Sequence, residues 1–334
     1  MRARAKDARL AGGRGRQVVH PGGPGLAAMA VCMAWSGATL AAPPRFATSV
    51  IEYLPAPGQF VNDPNYTNPA KALGVPVGGG TTNGDTTKVV TLGGFGGTIT
   101  LGFSGTVFDL PGNPMGLDAI VFGNAFWTGG NPKMRFAEAA VIEICLDLNR
   151  NGLPDDGWYL IPGSHILDPR TQRQGGKFIL PDDPFGFAPI INPRTDGLEL
   201  FFGYGDCTPV LLLGDMNADN VIDDWTISAE RFYTTPDDPF VVGITPGSGG
   251  GDAFDIGWAV NPDTGQQARL PGFDFIRITT GVDQSNGPLG EISAEIGGVS
   301  AVAPVGSTRG QIVIGQGSDG SKRPEAEGRS GGRP

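Results

Sequence analysis

Histidine is almost missing from this sequence: 334 residues contain two, His20 and His165. Cysteine is nearly as scarce, with Cys32, Cys145 and Cys207 far apart. A structural zinc site gathers four nitrogen or sulfur ligands, so this scarcity speaks against zinc. A Ser-His-Asp triad would depend on His165, which no GxSxG elbow precedes, and His165 reads instead as a loop imidazole bonded to backbone. Charge is also thin, at 17% of residues, and it leans acidic to a net −10. Beyond residue 42 the 18 Lys and Arg are outnumbered by 33 Asp and Glu, which speaks against a phosphate-binding surface and against nucleic acid as a partner. Beyond residue 42 no apolar run approaches the roughly 20 residues that a membrane-spanning helix needs.

Glycine and proline are abundant instead. With 55 Gly and 29 Pro they fill about a quarter of the positions, which rules out a helical bundle or coiled coil. At the same time 39% of residues are hydrophobic, including 18 Phe and 5 Trp, too much large apolar material for a disordered chain. Strands punctuated by turns satisfy both facts.

The first 42 residues stand apart. Arg2, Arg4, Lys6, Arg9, Arg14 and Arg16 precede the apolar run GLAAMAVCMAWSGATLAA, and small residues at Ala38, Ala41 and Ala42 offer cleavage positions. This layout predicts a secretory signal peptide over 1–42 and a secreted or surface location; the competing reading is a retained membrane anchor, for which a run of about 18 residues broken by Gly37 and Thr39 is at the short limit. Its removal takes six basic side chains and one acid, leaving 18 Lys and Arg against 33 Asp and Glu. So acidic a mature chain suits divalent-cation binding and extracellular solubility. In an oxidising compartment Cys145 and Cys207 either pair or stay as two buried thiols.

From ATSVIEYL onward, short runs rich in β-branched and aromatic residues recur: KVVTLGG, GTITLGF, LDAIVFGNAF, AEAAVIEICLDL and WYLIPGSHI. Gly pairs and the FDLPGNPMG turn separate them, so they read as antiparallel strands. In TITLGF, Ile99, Leu101 and Phe103 face inward and Thr98, Thr100 and Gly102 outward. Residues 166–255 are irregular, with Asp-Asp-Pro-Phe repeated at 182–185 and 237–240 and strand candidates in LELFFGY and PVLLLG. Pattern returns in FDIGWAV, FDFIRITTGV and GEISAEIGGVSAV, and 305–334 reads as a disordered tail. Strands on both sides of the irregular stretch predict one all-β domain over 43–304, a β-sandwich of jelly-roll type with a loop-rich insertion at 166–255. GGFGG lies between strands with no helix after it, which excludes a dinucleotide-binding turn.

The clearest chemical motif is DLNRNGLPDDGW. Asp147, Asn149, Asn151 and Asp155 alternate around Gly152, the arrangement by which a tight loop turns oxygen ligands toward a hard cation. It recurs as DMNADNVIDDW, with Asp215, Asn217, Asp219 and Asp223, but with Asn220 at the glycine position. Trp158 and Thr226 stand where an EF-hand has its bidentate acid, so calcium of modest affinity is the expected ion. The competing reading is a pair of Asx-turn loops whose carboxylates cap backbone amides.

Phe126, Trp127, Trp158, Tyr159 and Trp225 are candidates for a sugar-stacking platform, with Trp127 before the Gly129-Gly130 turn the best placed for exposure. A glycan or other small extracellular ligand is placed beside VFGNAFWTGGNP, on Asn124, Trp127, Arg135, Glu138 and Trp158. The competing reading of Asn124, Arg135 and Glu138 is local turn bonding and rim charge. Glu138, Glu143 and Asp118 are among the acids that a glycoside-cleaving carboxylate pair would draw upon.

The blocks VTLGGFGGTITLGF, LDAIVFGNAF, DLNRNGLPDDGWYLIPGS, FDIGWAV, FDFIRITTGVDQ and LGEISAEIGGVSAV, in this order over about 75–303, resemble a family of secreted or surface-attached bacterial proteins known as cell-surface proteins. The resemblance implies export and a non-catalytic surface role; some members are lipoproteins near nutrient-uptake systems, including those for cobalamin. Here Val31 before Cys32 departs from a lipobox. A looser resemblance is to galactose-binding-like jelly rolls, which often bind carbohydrate and hold a structural calcium. The expectation is a secreted, non-catalytic, calcium-stabilised binding or structural module. The alternative is a secreted polysaccharide hydrolase or lyase using paired carboxylates.

Overall fold

A computed structural model of the protein describes residues 45–164, 202–283, 285 and 290–304, and the backbone of three short strands between 173 and 191. The segment 1–42 expected to be a signal peptide, Cys32, His165, the 182–185 repeat, most of LELFFGY and the segment 305–334 expected to be a tail lie outside the described residues. In chain order the strands are β1 (Ser49–Leu54), β2 (Val90–Thr91), β3 (Thr98–Phe108), β4 (Ala119–Phe122), β5 (Phe126–Trp127), β6 (Arg135–Phe136), β7 (Ala140–Cys145) and β8 (Trp158–Ile161). They continue as β9 (Arg173–Gln174), β10 (Lys177–Phe178), β11 (Ile190–Ile191), β12 (Tyr204–Gly205), β13 (Asp252–Phe254), β14 (Gly272–Thr280), β15 (Glu295–Ile296) and β16 (Gly298–Ala301). Among the described residues the α-helix content is a single turn, α1 (Ala229–Phe232), capped by Ser228.

All pairings are antiparallel. The large sheet runs β1-β3-β14-β7, with β12 and β8 both on β7; a smaller sheet runs β13-β4-β16. Register aligns Ile99, Ile278, Ile142 and Ile161 in one row, and Leu101, Ile276 and Ile144 in the next. These side chains are fully buried and pack with Ala119, Val121, Phe254 and Val299 of the smaller sheet, so two sheets share one apolar layer. Each such aliphatic side chain contributes about 1.5–3 kcal/mol by leaving water. Phe46 bridges Ser300, Ala47 N–H donates to Val299 O and Ala301 N–H to Arg45 O, so the first described residues lie against β16.

Three expectations change. Thr100 is buried rather than outward, flanked in register by Glu52 and Arg277, long side chains that cover that face. FDIGWAV is not a strand: the Asp255 carboxylate accepts from Gly257 N–H and winds 256–258 into a 3₁₀ turn. PVLLLG contributes one bridge, Val210 to Gly250, before turning at Leu213. In the described part of the irregular stretch, Val210, Leu211, Phe232 and Tyr233 pack on Ile120, Phe122 and Ala253 and cover the outer face of the smaller sheet. That cover is why AIVF in β4 is apolar at every position. Cys145 and Cys207 are separate buried thiols.

Candidate functional site

The surface expected beside VFGNAFWTGGNP is not assembled. Trp127 is only 6% exposed, because β5 pairs with β6 and carries its ring inward, so it cannot serve as a stacking platform. Arg135, its register partner, is buried as well; its guanidinium donates to Cys207 O at 3.2 Å, to Thr208 Oγ1 at 3.4 Å and to Pro132 O at 3.2 Å. It ties the β5–β6 hairpin to the segment after β12 rather than presenting a rim charge. Glu138 is buried, Asn124 is half-buried with its N–H donated to Asp206, and Trp158 is half-buried beneath the Arg277 guanidinium, 4.1 Å from its ring centroid. Among the described residues the fully presented tryptophan is Trp225, 80% exposed at the end of the second acidic loop.

The two acidic loops have one construction. Asp147 accepts Asn151 N–H at 3.0 Å on Oδ1 and Gly152 N–H at 2.8 Å on Oδ2. Asn149 and Asn151 donate side-chain amides to the two oxygens of Asp155, at 3.2 and 2.9 Å, so all four predicted residues meet. Asp274 on β14 accepts Asp147 N–H at 2.9 Å and fixes the loop to the large sheet. In the second loop Asp215 accepts Ala218 N–H at 2.8 Å and Asn220 N–H at 2.9 Å, Asn217 accepts Asp219 N–H at 3.1 Å, and Asp223 accepts Met216 N–H at 2.9 Å. Carboxylate oxygens of Asp215, Asp219 and Asp223 lie within 4.8 Å of one another. Asn220 takes the glycine position at φ +67°, which Asn tolerates better than most residues, and its Oδ1 accepts Thr81 N–H at 2.6 Å. Both loops cap their own amides, and both leave lone pairs of the same oxygens for a hard cation.

Two further acidic groups escaped the sequence reading. Asp118, with Asp109 and Asp255 nearby, accepts Leu110 N–H, Ile256 N–H and the Asn113 amide, and burial raises its carboxyl to about 6. Glu138, Asp206 and Glu295 form the other, fully buried, with one oxygen of each within 4.8 Å of the others. Asp206 Oδ1 accepts Asn124 N–H at 2.8 Å and Ala125 N–H at 3.0 Å; its Oδ2 accepts Glu295 N–H at 3.0 Å. Glu138 Oε1 accepts from Gln59 Nε2 at 3.3 Å and Ser293 N–H at 3.4 Å. Glycine at 123 is obligatory here, since a Cβ would sit 2.0 Å from Asp206 Oδ1. Burial, then the negative charges of Glu295 and Asp206, push Glu138 far above the usual carboxylate range. Burial also lifts Glu295 to about 8, and lifts Asp206 to about 6 against the pull of its three amides.

A concavity of about 220 Å³, counting the solvent at its mouth, is lined by Phe202, Thr208, Asp237, Pro239 and Asp252 among others. That is smaller than the clefts that enclose most small ligands. Burial raises Asp237 to about 6 and Asp252 to about 7. Both already serve the fold, Asp237 accepting Thr245 N–H at 2.6 Å and Asp252 accepting Cys207 N–H at 2.8 Å. Among the described residues no helix is long and apolar enough to cross a membrane. Neither protein-family models nor curated proteins give a match to this chain.

Proposed function

We propose that this chain is a secreted or surface-exposed, non-catalytic β-sandwich module that calcium stabilises and that serves a binding or structural role toward a glycan or other small extracellular ligand. The observation that carries the reading is the common construction of the two acidic loops, in which side chains spaced two apart in sequence converge their oxygens while the first carboxylate holds the amides of positions five and six. A calcium ion with six to eight oxygen neighbours draws on such a set, and the missing acid at position twelve sets a modest affinity. The acidic balance of the mature chain and the resemblance to exported surface proteins agree with this reading.

Thermal melting of the mature protein tests it. Chelator lowers the melting temperature and excess calcium restores it, because an ion held only by the folded state adds stability of about 2.7 kcal/mol at a hundredfold excess over Kd. Asp147→Asn and Asp215→Asn each remove part of the calcium effect. Identical melting with and without chelator would end the reading.

The hydrolase alternative draws on Asp237 and Asp252, which line the concavity and whose carboxyls burial raises to about 6 and about 7. Cleavage of any polysaccharide that Asp252→Asn abolishes without unfolding the protein would transfer the proposal to that pair.

A further inference from the structure

Three carboxyl groups meet in the interior at Glu138, Asp206 and Glu295, brought from the start of β7, the end of β12 and the first residue of β15. No ion pair of the described residues joins them. The charges acting most strongly on Glu138 are the other two acids. Three negative charges without a counter-charge are untenable in a low-dielectric interior, so the cluster must hold either protons or a cation.

Hydrogen bonding favours the cation. Asp206 is satisfied by three backbone amides, and Glu138 Oε1 by Gln59 and Ser293. Glu295 is different. It is 1% exposed and extends toward Glu138, with the hydroxyls of Thr91 and Ser293 beside it, yet its Oε1 is buried without any hydrogen-bond partner. An orphan carboxylate oxygen in the core costs free energy unless something absent from the chain satisfies it. One oxygen of each acid lies within 4.8 Å of the other two, close enough for small side-chain adjustments to bring all three to the roughly 2.3–2.6 Å at which calcium holds oxygen. A half-turn of the Gln59 amide would add a carbonyl oxygen, and Thr91 and Ser293 supply hydroxyls. With oxygen donors alone, the set selects a hard cation over zinc or copper.

We propose that Glu138, Asp206 and Glu295 form an interior calcium site, separate from the two surface loops and locking β12 and β15 to the start of β7. The ion lowers the net charge of the trio from −3 to −1, and the three amides on Asp206 oppose the remainder. Enclosed on all sides, it exchanges more slowly than an ion in an open loop.

The test uses the mature chain with Asp147→Asn and Asp215→Asn together, which disables both loops and leaves the cluster untouched. After calcium loading and desalting, elemental analysis finds about one calcium per folded chain, and added calcium raises its melting temperature. Glu295→Gln, nearly isosteric, removes that equivalent when added to the loop variant, and lowers the calcium content of the otherwise unchanged chain by the same amount. A folded loop variant without retained calcium overturns the proposal, as does retention unchanged by Glu295→Gln. A Glu295→Gln protein more stable than its parent in excess calcium also overturns it and assigns the cluster to shared protons. Failure of the loop reading appears separately, as loop substitutions that leave the calcium content of the whole chain unaltered.

Discussion

Arg277 meets Glu143 across β14 and β7 with both Nε and Nη2 placed 2.8 Å from a single carboxylate oxygen, Glu143 Oε2. The pair sits on the face of the large sheet opposite the isoleucine rows, and the guanidinium also covers Trp158 on β8. One side chain therefore fastens three consecutive strands.

Replacing Arg277 with Met keeps its aliphatic packing but leaves the Glu143 carboxylate, whose side chain is 10% exposed, without its cation. The guanidinium is 30% exposed, so solvent screens part of the pair, and the expected loss is about 1–2 kcal/mol in urea unfolding. Adding Glu143→Leu should recover most of it. A loss under about 0.5 kcal/mol in the single variant would mean that the pair has little influence on the sheet.

Metal-free protein should be more stable in mild acid than at neutral pH. Asp252, Asp237 and Asp118 have folded values of about 7, 6 and 6, all raised first by burial. In the unfolded chain they titrate near ~3.9, so between about pH 4 and pH 7 the folded state holds protons that the unfolded state has released, and stability falls as pH rises. The loss is on the order of 1–3 kcal/mol, read as the urea midpoint at pH 5 and pH 7.5 in chelator. Asp252→Asn should flatten the slope. A higher midpoint at pH 7.5 would contradict the direction of these shifts.

Two glycine substitutions should separate close approach from ordinary loop tolerance. Gly123→Ala drives a Cβ to 2.0 Å from Asp206 Oδ1 and should cost about 3 kcal/mol or more. Gly112→Ala meets nothing within 4 Å and needs no positive φ, so it should stay within about 0.5 kcal/mol of the parent. Equal effects in denaturant titrations would show that the Gly123 backbone yields freely.

Much of the strand content was legible because its signal is local. TITLGF and FDFIRITT alternate or run apolar where their register rows demand it, and they lie within β3 and β14. FDIGWAV is likewise rich in apolar residues, yet one Asp255 side chain competing for a backbone amide turns it into a 3₁₀ bend. The acidic loops were legible for the same reason, since their oxygens lie two residues apart along one stretch of chain. Trp127 was misjudged because the Gly-Gly after it says nothing about the direction of the ring, which the β5–β6 pairing decides. Glu138 was picked out as a surface charge, whereas Asp206 and Glu295 join it only through long-range topology. The one local hint was an acid inside the apolar run ISAEIGGV, and a single charge there does not name its partners.

The bridge from Phe46 to Ser300 sets how the folded unit meets tension. Arg45 lies opposite Ala301 and Ala47 opposite Val299, running antiparallel, so the chain enters and leaves this edge from the same side. A pull between residues 45 and 301 loads these hydrogen bonds one after another, as a zipper opens, rather than all together in shear. A molecule held at one end and drawn from the other should peel at low force from β16 inward, giving up the smaller sheet first; single-molecule stretching would read this as an early short extension before the β3–β14–β7 ladder yields.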